Sequence, residues 1–193
     1  MMETIQMPTK TGPNRRRSPH IGNYACAHVD YNGVGVWSAE AIRKRYRKYA
    51  DAFGANPAHL TPRRHTEGGR TWVYPLMEKI TELIETGDRA AIEIGIEFIQ
   101  EDDYFVFGAI LKSNTARALR RTSLTPEQQA LIRKRLVDMM LAGQVPREWR
   151  EYKRLLRQVG VGALWPVLEN GVDRDNEYVM RYYNYLDRFA RTS

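Results

Sequence analysis

The sequence predicts a mainly α fold: a short array or irregular bundle of antiparallel helical pairs, preceded by a basic N-terminal region with one helix and a candidate hairpin. Three observations predict it. From Pro75 onward, apolar residues recur at helical spacing, with links of two to six residues between the periodic segments. Those segments start and stop on capping residues. The positive charge is also uneven: residues 1–74 hold 12 basic and 5 acidic side chains, whereas residues 75–193 hold 18 of each. The 193 residues are 42% hydrophobic and 27% charged, which is a globular composition with enough chain for one sizeable core.

Residues 1–23 read as an extended basic segment, because Pro8, Gly12, Pro13 and Pro19 interrupt any helix. No apolar run follows Arg15, Arg16 and Arg17, so a secretory signal is not expected. Residues 24–74 read as a small basic helix and hairpin region. Asn32-Gly33 marks a tight turn, with either short strands or loop on its two sides, since Gly35 weakens the second arm. Ser38 caps a helix running to Phe53, with Ile42, Tyr46, Tyr49 and Phe53 on its apolar stripe and Gly54 at its end. Further on, Arg63-Arg64-His65-Thr66 and Arg70-Thr71-Trp72-Val73-Tyr74 flank Glu67-Gly68-Gly69, the pattern of a hairpin. A basic helix followed by a basic hairpin is also the outline of a winged-helix module.

Residues 75–193 read as a helical repeat-like domain. Helices are expected at 75–86, 89–100, 103–120, 126–142, 146–158 and 174–190, with a shorter one over 161–169. Thr125-Pro126-Glu127-Gln128 supplies a cap, a proline in the first turn and a capping-box glutamine. Gly143 fits a stop, Pro146 opens the next helix, and Asn170-Gly171 with Asp173 marks the last turn and cap. Buried faces are expected at Ile92, Ile96 and Ile99, at Leu131, Leu136, Val137 and Met140, and at Leu155, Leu156, Val159, Leu164, Trp165 and Leu168.

The stretch IEIGIEFIQEDDYFVFGAILK (residues 92–112), continued by LTPEQQ from Leu124 through YKRLL at 152–156, resembles units of HEAT-like helical repeat proteins. The resemblance is to bacterial proteins with short arrays of helical pairs and covers roughly residues 75–160. It implies a binding scaffold and supplies no catalytic residues.

The chemistry-bearing residues fit binding better than catalysis. Cys26 is the single cysteine, so it forms no disulfide within the chain; with His28 two residues on, it lacks a third partner for Cys/His chemistry. Neither His20, His28, His59 nor His65 sits in a zinc motif. Glu93, Glu97 and Glu101 share a helical face with Asp102 and Asp103 beyond it, a solvated face and cap in the first place, with a metal or catalytic site, or a docking surface for a basic partner such as the protein's own N-terminal region, as the alternatives. Gly33/Gly35 and Gly160/Gly162 match no dinucleotide fingerprint, and Ser38, Ser113 and Ser123 have no nucleophile-elbow setting. No cofactor, metal or catalytic residue is therefore assigned.

Two surfaces remain. Arg43, Lys44, Arg47, Lys48, Arg63, Arg64, Arg70 and Trp72 combine cations with an aromatic ring, as nucleic acids or acidic proteins require. Tyr178, Tyr182, Tyr185 and Phe189 form a helical stripe suited to docking or to a protein interface. The expectation is a cytoplasmic, non-enzymatic helical interaction or adaptor protein with a protein partner and no membrane span. The alternatives are a nucleic-acid-binding protein using the basic N-terminal region, and an enzyme with a dispersed active site.

Overall fold

The computed structural model describes residues 28–32, 34–101 and 107–190. The expected extended segment 1–23, with Cys26, Gly33, Asp102 and Asp103, lies outside them. The described residues form eight α-helices, one 3-10 turn and a three-stranded sheet, a mainly helical fold. No helix among them is long and apolar enough to cross a membrane.

The sheet comprises β1 (His28–Asp30), β2 (Arg64–Glu67) and β3 (Arg70–Val73) in the order β1-β3-β2. β2 and β3 pair antiparallel across Gly68-Gly69, both at positive φ (54° and 76°), the conformation a two-residue hairpin turn needs. β1 pairs parallel with β3, His28 opposite Thr71 and Asp30 opposite Val73. Among the described residues no strand lies between Asn32 and Ser38, so of the two readings of the second arm the loop holds. Asn32 is 3% exposed and serves as a clip instead. Its Oδ1 accepts from the Leu76 backbone N–H at 2.7 Å, and its Nδ2 donates to the Tyr74 carbonyl at 3.2 Å.

Helix α1 (Ala39–Ala52) starts on Ser38, whose hydroxyl accepts from the Ala41 N–H at 3.3 Å, and buries Ile42, Tyr46 and Ala50. Helix α2 spans Met77–Glu85. Helix α3 (Arg89–Gln100) has the expected bounds and is capped by Asp88, which accepts from the Ala91 N–H at 2.8 Å. Helix α4 spans Gly108–Arg120, and residues 103–106 of the expected helix lie outside the described residues. Phe107 takes a left-handed conformation (φ 62°) that cannot sit inside a helix, and its ring packs edge-on against Tyr31 at 5.1 Å.

Helix α5 (Pro126–Leu141) carries the expected capping box on Thr125 and Gln128. Its buried face contains Leu136, Val137 and Met140, but Ile132 points inward where Leu131 was expected, and Leu131 is 44% exposed. Helix α6 (Trp149–Val159) starts three residues after the expected position. Residues 146–148 form a turn, closed by the Trp149 Nε1–H donating to the Gln144 carbonyl at 2.7 Å. The 3-10 turn Gly162–Leu164 leads into α7 (Trp165–Gly171). Helix α8 (Glu177–Ala190) is capped by Asn176, whose Oδ1 accepts from the Tyr178 and Val179 N–H groups; Asp173, the expected cap, closes the preceding turn.

Packing follows an alternating rule. α1 packs on α3, α3 on α5 and α5 on α7; α2 packs on α4, α4 on α6 and α6 on α8. Odd-numbered helices thus form one layer and even-numbered helices the other, with α2–α3, α3–α4 and α5–α6 contacts between them. A contiguous apolar core runs between the layers from Trp37 to Leu186. Gly95 on α3 marks its tightest crossing. A Cβ there would stand 2.6 Å from Ile84 Cδ1 of α2 and 3.2 Å from Thr115 Cγ2 of α4.

Candidate functional site

The basic residues of the N-terminal region are not gathered into one surface. Three are engaged by other groups of the fold, Arg43 and Arg45 half-buried and Arg63 at the surface. Arg43 Nε donates to the Leu60 carbonyl at 3.2 Å. Arg45 meets Glu97 at 2.8 Å and Glu101 at 2.9 Å, its guanidinium 4.3 Å from the Trp37 ring centroid. Arg63 pairs with Glu78 at 3.1 Å and lies 3.5 Å over the Tyr74 ring. Lys44, Arg47 and Lys48 remain exposed on α1, and Arg64 and Arg70 on the hairpin. The hairpin separates its two. Arg70 stands opposite Glu67 on the face of His65 and Trp72, whereas Arg64 stands opposite Val73 on the other face. Trp72 is half-buried and stacks on His65 at 5.5 Å, less open than the sequence suggested. His59 lines a hollow of about 280 Å³ with Arg43 and Arg47.

The acidic face of α3 docks onto α1. Glu97 accepts from Arg45 and from the Tyr49 hydroxyl, Glu101 accepts from Arg45, and Glu93 accepts from Gln128 Nε2 at 2.7 Å. Burial, then the hydrogen bond and charge of Glu97, push the Tyr49 phenol well above its ordinary value. Among the described residues, no three His, Cys, Asp or Glu side chains stand together as metal ligands.

A more concentrated arrangement lies at the other end of the array, between α6 and α8. Trp149, Tyr152, Leu155, Leu156 and Val159 anchor α6 in the core. Helical spacing then puts Arg150, Lys153 and Arg157 on one outward stripe. On α8 the anchoring residues are Val179, Tyr183 and Leu186. The expected stripe of Tyr178, Tyr182, Tyr185 and Phe189 is therefore not the fully buried face. Tyr182 and Tyr185 are half-buried toward α6, while Tyr178 and Phe189 are 71% and 39% exposed.

The two stripes meet. Lys153 Nζ lies 5.4 Å from the Tyr182 ring centroid and 4.5 Å from that of Tyr185. The Arg157 guanidinium lies 5.7 Å from Tyr185 and 4.5 Å from Phe189. Such pairs fix the direction of cations that would otherwise sample many rotamers.

Arg147, Arg150, Lys153, Arg181 and Tyr182 line a cleft of about 530 Å³ at one end of this seam. Every ionisable group in that lining other than the phenol is a cation. Burial, followed by the like charges of Arg181, Arg154 and Arg150, holds the Lys153 ammonium below its ordinary value. The nearby carboxylate of Glu151 opposes that shift, as the smallest of these effects. It is buried, and its Oε1 is held by Arg154 at 3.0 Å and by Arg117 of α4 at 3.7 Å. At the other end of the seam, Leu156, Val161, Trp165, Leu186 and Phe189 line a mainly apolar hollow of about 630 Å³, with Arg157 and the carboxylates of Glu169 and Asp187 also in its lining. The arrangement can hold extended anionic groups beside apolar surface; it presents no nucleophile paired with a base.

The sequence reading found the aromatic half of this seam and missed the cationic half. Arg150, Lys153 and Arg157 at i, i+3 and i+7 were the available signal. Comparison with protein-family models, with curated proteins and with solved structures found no match to the chain.

Proposed function

We propose that the chain is a non-enzymatic helical interaction protein that holds an anionic partner along the α6–α8 seam. The alternating two-layer packing supports a scaffold role, since helices stacked in this way expose long shallow surfaces between neighbouring pairs. The resemblance of residues 75–160 to helical repeat proteins points the same way.

The observation that carries the reading is the cleft of four cations: among the described residues Arg147, Arg150 and Arg181 make no ion pair, and Lys153 leans on tyrosine rings. Clustered like charges repel, at a cost that a bound anion removes. Heparin serves as a generic polyanion probe. The Arg150→Glu/Arg181→Glu double variant is expected to elute from heparin resin at clearly lower salt than the wild type. The Arg64→Glu/Arg70→Glu variant, with the same change in net charge, is expected to shift much less. Equal shifts would leave only a diffuse charge effect and overturn the assignment of the site.

A further inference from the structure

We infer that the α6–α8 cleft binds the sugar–phosphate backbone of single-stranded nucleic acid, with phosphates on Arg147, Arg150, Lys153 and Arg181. The inference rests on the reading of the seam as an anionic-partner site and narrows it to one class of partner.

Four features favour that class. Three of the four cations are arginines, whose planar forks match phosphate oxygens and stay charged when partly desolvated. The charge is spread along the cleft: Arg150 and Lys153 stand one turn apart on α6, Arg147 lies just before that helix and Arg181 on α8, so the lining can meet more than one phosphate of a chain. The shape is concave. The cleft between α6 and α8, about 530 Å³, is an open surface groove too small to take in the body of a duplex, which favours one strand.

The fourth feature is the use of the aromatic rings. Lys153 and Arg157 already lie against Tyr182, Tyr185 and Phe189, so these rings orient cations and are not free as stacking platforms. Tyr178, 71% exposed one turn from Arg181 and Tyr182, is the ring left for a base. Recognition is then through the backbone with at most one stacked base, tolerant of sequence. The chain's net charge of +7 adds a long-range attraction for such a partner.

The test is fluorescence anisotropy of the full chain against labelled oligo-dT between 50 and 200 mM salt, with circular dichroism melting to confirm that each variant folds. Four phosphates neutralised on a single strand give a log–log salt slope of about −2.8, and so about a 50-fold loss of affinity across that range. Arg150→Gln/Arg181→Gln should reduce the slope to about −1.4 and the loss to about 7-fold. Arg64→Gln/Arg70→Gln should keep the wild-type slope. Equal slopes in the two double variants would overturn the inference, as would tighter binding of duplex through the same residues. Binding of poly-glutamate through the cleft without binding of oligo-dT would sink the nucleic-acid inference and leave the anionic-partner reading standing. Failure of both probes would sink both.

Discussion

Replacing Gly95 with alanine tests the helix crossing on which the two-layer packing depends. In an ordinary helix interior the change gains about 0.8–1.0 kcal/mol from propensity. Here the new methyl would meet Ile84 Cδ1 at 2.6 Å and Thr115 Cγ2 at 3.2 Å, against a comfortable carbon–carbon separation of about 3.5–4.0 Å. Ile84 and Thr115 are both fully buried, so Ile84 has little room to move aside. Overpacking of this kind costs about 1–3 kcal/mol, which outweighs the propensity gain and leaves Gly95→Ala destabilised by about 1 kcal/mol.

Ile84→Val removes the Cδ1 atom in the way and costs about 0.5–1.5 kcal/mol alone. Combined, the alanine methyl occupies the vacated space and the propensity gain is recovered. The double variant should therefore lie within about 0.5 kcal/mol of the wild type, a coupling of about 2 kcal/mol. Urea unfolding of the four proteins measures it, with an unchanged m value confirming that the unfolded states are comparable. Additive single effects, or a Gly95→Ala protein more stable than the wild type, would refute the crossing.

Two further predictions concern the N-terminal region. Asn32→Ala leaves the buried Leu76 N–H without its 2.7 Å acceptor and removes the donor to Tyr74, so urea unfolding should show a loss of about 2–3 kcal/mol; a loss below about 0.5 kcal/mol would mean that the clip holds nothing. The Tyr46 phenol, pushed from 10.0 to about 12 by burial and then by its hydrogen bond to Asp88, binds its proton more tightly in the folded state. Its stabilisation is full below pH 10 and is lost as pH rises toward 12, so melting temperature should fall across that window. The fall should be shallower in Tyr46→Phe, and an equally steep one would count against the assignment.

Local chemistry was legible in the sequence wherever cause and effect sit within a few residues. Asp88 caps α3 three residues from the N–H it accepts, and Thr125 with Gln128 closes its own box. Gly68 and Gly69 supply the two positive φ values of the hairpin turn. What failed was the choice between overlapping patterns. On α8, two stripes offset by one residue are both apolar enough to bury, and the packing against α6 and Trp165 selects Val179, Tyr183 and Leu186. On α5 the same choice went to Ile132 over Leu131.

The site was harder to read because charge balance along a chain is a sum, whereas an electrostatic field is local. The excess of cations before residue 75 is evident in the sequence, yet Arg45 spends its charge on Glu97 and Glu101, 52 and 56 residues away. Residues 75–193 sum to zero, and that zero concealed a cleft whose own lining is entirely cationic apart from one tyrosine.

α3 leans on α1, α2, α4 and α5, whereas α8 leans chiefly on α6, with Tyr183 stacked on Trp165 of α7. A helix held by fewer neighbours opens at lower free energy than one held on several sides, and hydrogen exchange should be faster in α8 than in α3. The cleft exists only while α8 is docked. A ligand bound in it would therefore hold α8 against α6, while each moment the helix spends open would subtract from the measured affinity. Ligand capture and the docking of α8 would become one equilibrium.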